Sequence, residues 1–104
     1  MSEQRRYVRS MVAVDLVYAE LGAAHSFAGT GTDLSVGGIF ITTRAKFEAG
    51  TPIVLRLRPL IVHDELSLQG TVRWLNNVGF GVQFAPLGAK DTYILTEYLR
   101  GLKP

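Results

Sequence analysis

From Val12 onward, apolar residues alternate with others at period two: Val12, Val14, Leu16 and Tyr18 share one phase, which predicts a half-buried strand. Leu21-Gly22-Ala23-Ala24 offers a turn. Phe27 to Ser35 reads as a second strand, in which Gly29 and Gly31 signal a bulge or a close backbone approach. Val36-Gly37-Gly38 reverses the chain into a third strand, Ile39-Phe40-Ile41-Thr42. Gly50-Thr51-Pro52 introduces a fourth, with Ile53, Leu55 and Leu57 pointing one way and Val54, Arg56 and Arg58 the other. Pro59, which cannot donate to a ladder, ends it. Leu66 to Leu75 is predicted as the fifth strand, Asn76-Asn77 as a hairpin turn tolerant of positive φ, and Val78 to Phe84 as the sixth.

Beyond Pro86-Leu87-Gly88 the period changes, and Ile94, Leu95, Tyr98, Leu99 and Leu102 fall on one helical face. Asp91 and Arg100 suit the two ends of the helix dipole, and Gly101 with Pro104 supplies a stop. Six short strands and one terminal helix, over about 88–101, predict an all-β domain. The pattern fits a small antiparallel barrel or a sandwich, with the helix over an opening or an edge. Residues 1–9 are polar and lack apolar periodicity, so they read as a flexible arm, leaving 10–104 as the folded domain.

Composition narrows the chemistry. A chain of 104 residues holds one core. No run approaches the roughly 20 apolar residues that cross a bilayer, so no membrane insertion is expected. The polar start Met1-Ser2-Glu3-Gln4-Arg5-Arg6 is not followed by an apolar signal core, which gives the expectation of a cytoplasmic protein. With no cysteine there is no thiolate nucleophile or thiolate metal site, and His25 and His63 are isolated and read as surface residues. Neither a metal nor a cofactor is expected. Asp64-Glu65 places its two carboxylates on opposite faces of an extended chain, and no nucleophile, base and orienting group can be assembled. The expectation is a binding protein, with no catalytic residue and no enzymatic step.

Charge then singles out a site. The net charge is only +2, but Arg5, Arg6 and Arg9 fall within the first nine residues. A guanidinium pairs bidentately with phosphate or with guanine O6 and N7, and its flat face stacks on a purine. Farther on, Asp33 can accept from guanine N1–H and the N2 amino group, the edge that arginine cannot bind. Ser35, two residues along an extended strand, is expected on the same face and can donate to a phosphate oxygen. Gly37 and Gly38 leave bare backbone where the turn bends. Each motif alone has a plain alternative, a solvated basic tail or a side-chain-stabilised turn. The ordered pair carries the specificity.

That pair resembles the PilZ domain family, whose signature is RxxxR followed by (D/N)xSxxG; Arg5, Arg9, Asp33, Ser35 and Gly38 match all five defining positions. Gly70-Thr71-Val72-Arg73-Trp74 resembles the family's late G-x-V-x-W strand, and Gly79-Phe80-Gly81-Val82-Gln83-Phe84 its closing G-x-G-V-x-F strand. The resemblance implies a six-stranded antiparallel β-barrel with a C-terminal helix and binding of the bacterial second messenger cyclic di-GMP. It implies that Arg5 and Arg9 contact phosphate and guanine, Arg9 at a guanine edge or by stacking. Asp33 and Ser35 would hold the other guanine edge and a phosphate, and Gly38 would permit close approach. Arg6 lies inside the first motif and adds charge, although the pattern does not require it.

The resulting expectation is a single-domain receptor or adaptor whose arm orders on the ligand and which signals to a separate effector protein. One alternative is a PilZ-like interaction module that does not bind the nucleotide. Another is a barrel that binds single-stranded nucleic acid through aromatic platforms. Tyr7, Phe27, Phe40 and Trp74 could supply these, but most fall at core phases and Trp74 is expected inside the barrel, so no DNA or RNA partner is expected.

Overall fold

The computed structural model describes residues 13–57 and 66–101. Expectations that concern the arm with Arg5, Arg6, Tyr7 and Arg9, Val12, the stop at Arg58-Pro59, His63, Asp64-Glu65, Leu102 and Pro104 lie outside these residues. Six strands, β1 (Val14–Glu20), β2 (Phe27–Thr32), β3 (Gly38–Thr42), β4 (Pro52–Leu57), β5 (Leu66–Leu75) and β6 (Gly79–Phe84), precede one helix, α1 (Ala89–Gly101). Every strand pairing is antiparallel, and the order β1-β2-β3-β6-β5-β4 closes on itself as a barrel. The sheet therefore closes, where the residue pattern alone equally allowed a sandwich.

Alternation sets the interior. Val14, Leu16 and Tyr18 of β1, Ile39 and Ile41 of β3, Ile53, Leu55 and Leu57 of β4, and Phe80, Val82 and Phe84 of β6 are buried in one cluster. β2 contributes glycines to that interior, and the larger side chains of its neighbours fill the space. A Cβ at Gly31 would lie 2.4 Å from Ile39 Cδ1, and one at Gly29 2.9 Å from Ile41 Cγ2. The two glycines thus accommodate side chains inside the barrel.

One barrel end is closed by aromatic rings. Tyr18, Phe27, Phe47 and Phe80 pack with centroids 5.4 to 6.1 Å apart, in edge-to-face and stacked arrangements. The Tyr18 hydroxyl bonds to Thr43 Oγ1 at 2.7 Å, so its polar end is satisfied within the core. From α1, Ile94, Leu95 and Tyr98 join the same cluster, with Leu99 packed against it. The helix faces the barrel through the stripe predicted from its period. The β2–β3 turn, the start of β1 and the end of β6 share the other barrel end, since Val14 pairs with Gly31 and Gly38 with Gln83.

Two local expectations are corrected. β2 ends at Thr32 and does not continue to Ser35, because Asp33 adopts φ +50°, a left-handed conformation that interrupts an extended strand. At the β5–β6 hairpin neither Asn76 nor Asn77 uses positive φ. Instead Asn76 Oδ1 accepts from the backbone N–H groups of Val78 at 2.9 Å and Gly79 at 3.1 Å, so the side chain itself builds the turn.

Candidate ligand-binding site

The segment Asp33-Leu34-Ser35-Val36-Gly37 connects β2 to β3, which begins at Gly38. Leu34 is fully buried and pins the turn to the core. On either side of it the chain bends, at Asp33 by its left-handed φ and at Ser35 by hydrogen bonding. The Ser35 N–H donates to the Gly38 carbonyl at 3.0 Å, and the Gly37 N–H donates to Ser35 Oγ at 3.1 Å. A further bond, from the Phe84 N–H to the Gly37 carbonyl at 2.9 Å, ties the turn to β6. Asp33 remains partly exposed at the rim, while Ser35 is, among the described residues, the one polar or charged residue buried with the core.

This arrangement revises the physical reason for the motif. Asp33 and Ser35 do not share a face of one strand, because β2 ends at Thr32 and the chain bends at Asp33. Ser35 Oγ already accepts from backbone, which leaves its O–H available to donate. Gly38 meets the neighbouring strand directly, since a Cβ there would lie 2.3 Å from the Val82 carbonyl oxygen. Its missing side chain is required by the fold. Gly37 is half-buried at the bend, with both backbone groups engaged.

Trp74 departs furthest from expectation. Period two counted from buried Val72 would place it inside, yet it is 56% exposed. The ladder slips between Val72 and Trp74, with Arg73 as the extra residue, and this bulge turns the following side chain outward. The indole lies over Gly81 of β6, where a Cβ would sit 2.1 Å from Trp74 Cε3. Phe40 is likewise half-exposed on the outer phase of β3, between buried Ile39 and Ile41. Phe27 keeps the inner phase, stacked on Tyr18, though 43% of it is exposed at the barrel mouth.

These outward residues stand in register. Thr32 pairs with Phe40, Phe40 with Gly81, and Gly81 with Trp74, so one row crosses the outer wall from the Asp33 turn to the indole. At the usual strand spacing that row is about 14 Å long, the scale of a dinucleotide. Arg73 lies beside it, its Nε–H donating to Gln83 Oε1 at 2.9 Å, and Gln83 is the pairing partner of Gly38. Asp33 thus follows one end of this row, the Trp74 ring stands at its other end, and the Arg73 guanidinium lies alongside. The bulge hides Trp74 from a periodicity reading, and the sequence signal that could have revealed it is Gly81, small enough to accept a ring on its face. Among the described residues no three of His, Asp or Glu cluster as a metal site, and no helix is long and apolar enough to cross a membrane. His25 is exposed.

Solved structures share this architecture. The PilZ domain of CeSA from a cellulose-synthesizing bacterium superposes with a TM-score of 0.74 at 20% identity, covering 91% of this chain and 97% of that one. The Bacillus subtilis inhibitor of motility MotI/DgrA gives a TM-score of 0.78 at 18% identity over 96% of this chain and 51% of that one, so the chain spans about half of that protein's length. Among curated proteins no match is found. The family model described as PilZ domain matches residues 3–101, nearly the whole chain, and with the barrel and its terminal helix in place the chain belongs to the PilZ domain family.

Proposed function

We propose that this protein is a cytoplasmic cyclic di-GMP receptor that converts ligand binding into a signal for a separate effector protein. The PilZ family is a family of cyclic di-GMP receptors and adaptors, which sets the chemistry. The observation that carries the reading for this chain is the Asp33–Gly38 turn, held by three hydrogen bonds and the buried Leu34 while Asp33 stays partly exposed at the rim. A preorganised acceptor loses little freedom when it meets a ligand.

In this reading the Asp33 carboxylate accepts from N1–H and N2 of one guanine. The Ser35 hydroxyl donates to a phosphate oxygen, and the exposed Trp74 face offers a surface for purine stacking. Arg5 and Arg9, with Arg6 adding charge, close over the opposite guanine edge and the phosphates. The ordered arm then becomes a surface that the effector can recognise. No bond is made or broken.

Calorimetry with cyclic di-GMP tests the proposal. Wild-type protein should release heat at a defined stoichiometry, and Arg9→Ala should weaken binding by tenfold or more, the scale of one lost charge-assisted contact. Absence of heat and of any thermal shift would instead favour an interaction module that ignores the nucleotide. Binding to single-stranded oligonucleotides with a steep salt slope, uncompeted by cyclic di-GMP, would favour a nucleic-acid barrel.

A further inference from the structure

On the wall formed by β1, β2 and the end of β3 lies an open groove of about 810 Å³. Its floor is made of small outward residues. Val17 of β1 pairs with Ala28 of β2, and Asp15 with Thr30, which in turn pairs with Thr42 of β3. Arginines stand on both sides: Arg56 of β4 is the pairing partner of Val17, and Arg44 lies two residues beyond Thr42, the last residue of β3. Both are exposed, and neither forms an ion pair with another described residue, where the recorded pair is Arg100 with Glu97 at 2.8 Å.

The row Arg56, Val17, Ala28 spans two strand spacings, roughly 10 Å, and Arg44 borders the groove beyond the last β2–β3 pair, Thr30 with Thr42, so two cations flank an apolar floor. Asp15 is the one carboxylate among the groove residues, against two guanidiniums. An extended peptide advances about 3.3 Å per residue and turns alternate side chains the same way, so residues i, i+2 and i+4 span about 13 Å on one face. Such a segment is long enough to reach from Arg56 past Ala28 toward Arg44, and its carboxylates complement the two arginines. From this we infer that the groove is a docking site for an extended acidic segment of a partner protein with the pattern Glu-x-apolar-x-Glu, its carboxylates on Arg44 and Arg56 and its central side chain on Val17 and Ala28.

The barrel closes between β2 and β3 through the pairs from Thr30 with Thr42 to Thr32 with Phe40, and recognition here works through side chains laid across the strands. Thr30 and Thr42 supply hydroxyls beside the floor for the peptide backbone. The site shares no residue with the nucleotide reading above and stands independently of it.

The test uses the isotope-labelled full chain without nucleotide, titrated with acetyl-Glu-Ser-Leu-Ser-Glu-amide and followed by amide NMR shifts. Saturable shifts are expected at Val17, Ala28, Thr30, Thr42 and Arg44, and acetyl-Lys-Ser-Leu-Ser-Lys-amide should leave them in place. Arg44→Glu and Arg56→Glu, both at exposed positions, should each weaken binding by about tenfold or more. The double variant should reverse the preference and accept the lysine peptide. No shifts at millimolar peptide, shifts centred on another wall, or the same shifts with inorganic phosphate alone would overturn the assignment.

Discussion

Asp33 offers the sharpest test because its carboxylate and its backbone make separable predictions. At φ +50° it occupies the left-handed region, which aspartate tolerates and most other residues resist by about 1–2 kcal/mol. Asp33→Ala therefore removes the carboxylate and adds strain. For a domain of this size about 1 kcal/mol lowers Tm by roughly 4–8 °C. Asp33→Gly removes the same carboxylate where glycine is at ease, and its Tm should stay well above that of the alanine variant. The proposed guanine contact is charge-assisted, worth about 1.5–3 kcal/mol, so both variants should lose about 10- to 150-fold in cyclic di-GMP affinity. Scanning calorimetry without ligand reads the first effect and titration calorimetry the second. Wild-type affinity in Asp33→Gly would refute the carboxylate's role, and equal Tm values for the two variants would refute the backbone argument.

Trp74→Ala should leave Tm nearly unchanged, since the indole is 56% exposed, while costing about 1–3 kcal/mol of ligand affinity by lost stacking, read by titration calorimetry. Gly38→Ala should lower Tm strongly with or without ligand, because its Cβ would lie 2.3 Å from the Val82 carbonyl oxygen and backbone must move; a stable variant with weakened binding alone would contradict the packing assignment. Burial raises the ionisation of Tyr18 and Tyr98 above the ordinary 10.0, with the Thr43 hydrogen bond opposing it at Tyr18. A folded-state value above the unfolded one gives stability that is complete below pH 10 and lost as pH climbs through the folded value, so urea midpoints should fall above pH 10 and fall less in Tyr98→Phe.

Much of this molecule was legible before its structure. The six strands, the helix stripe of Ile94, Leu95 and Tyr98, and the barrel implied by the PilZ resemblance all appear, because period two and period 3.6 report burial directly. What escaped the pattern was set by single residues that break it. The left-handed Asp33 ends β2 early, and the bulge at Arg73 reverses the phase of Trp74. Gly38 shows a further limit of motif reading: the residue that matches a ligand signature also meets a neighbouring carbonyl, and sequence carries no trace of that contact. The groove between Arg44 and Arg56 depends on register across four strands, which no local pattern encodes.

The most direct test is an amide and indole NMR titration of the full chain with cyclic di-GMP. The account predicts saturable shifts at Arg5, Arg6 and Arg9, through Asp33 to Gly38, and at the Trp74 indole N–H, with the aromatic end around Phe27 and Phe47 unmoved. Silence throughout, or shifts confined to that aromatic end, would contradict it.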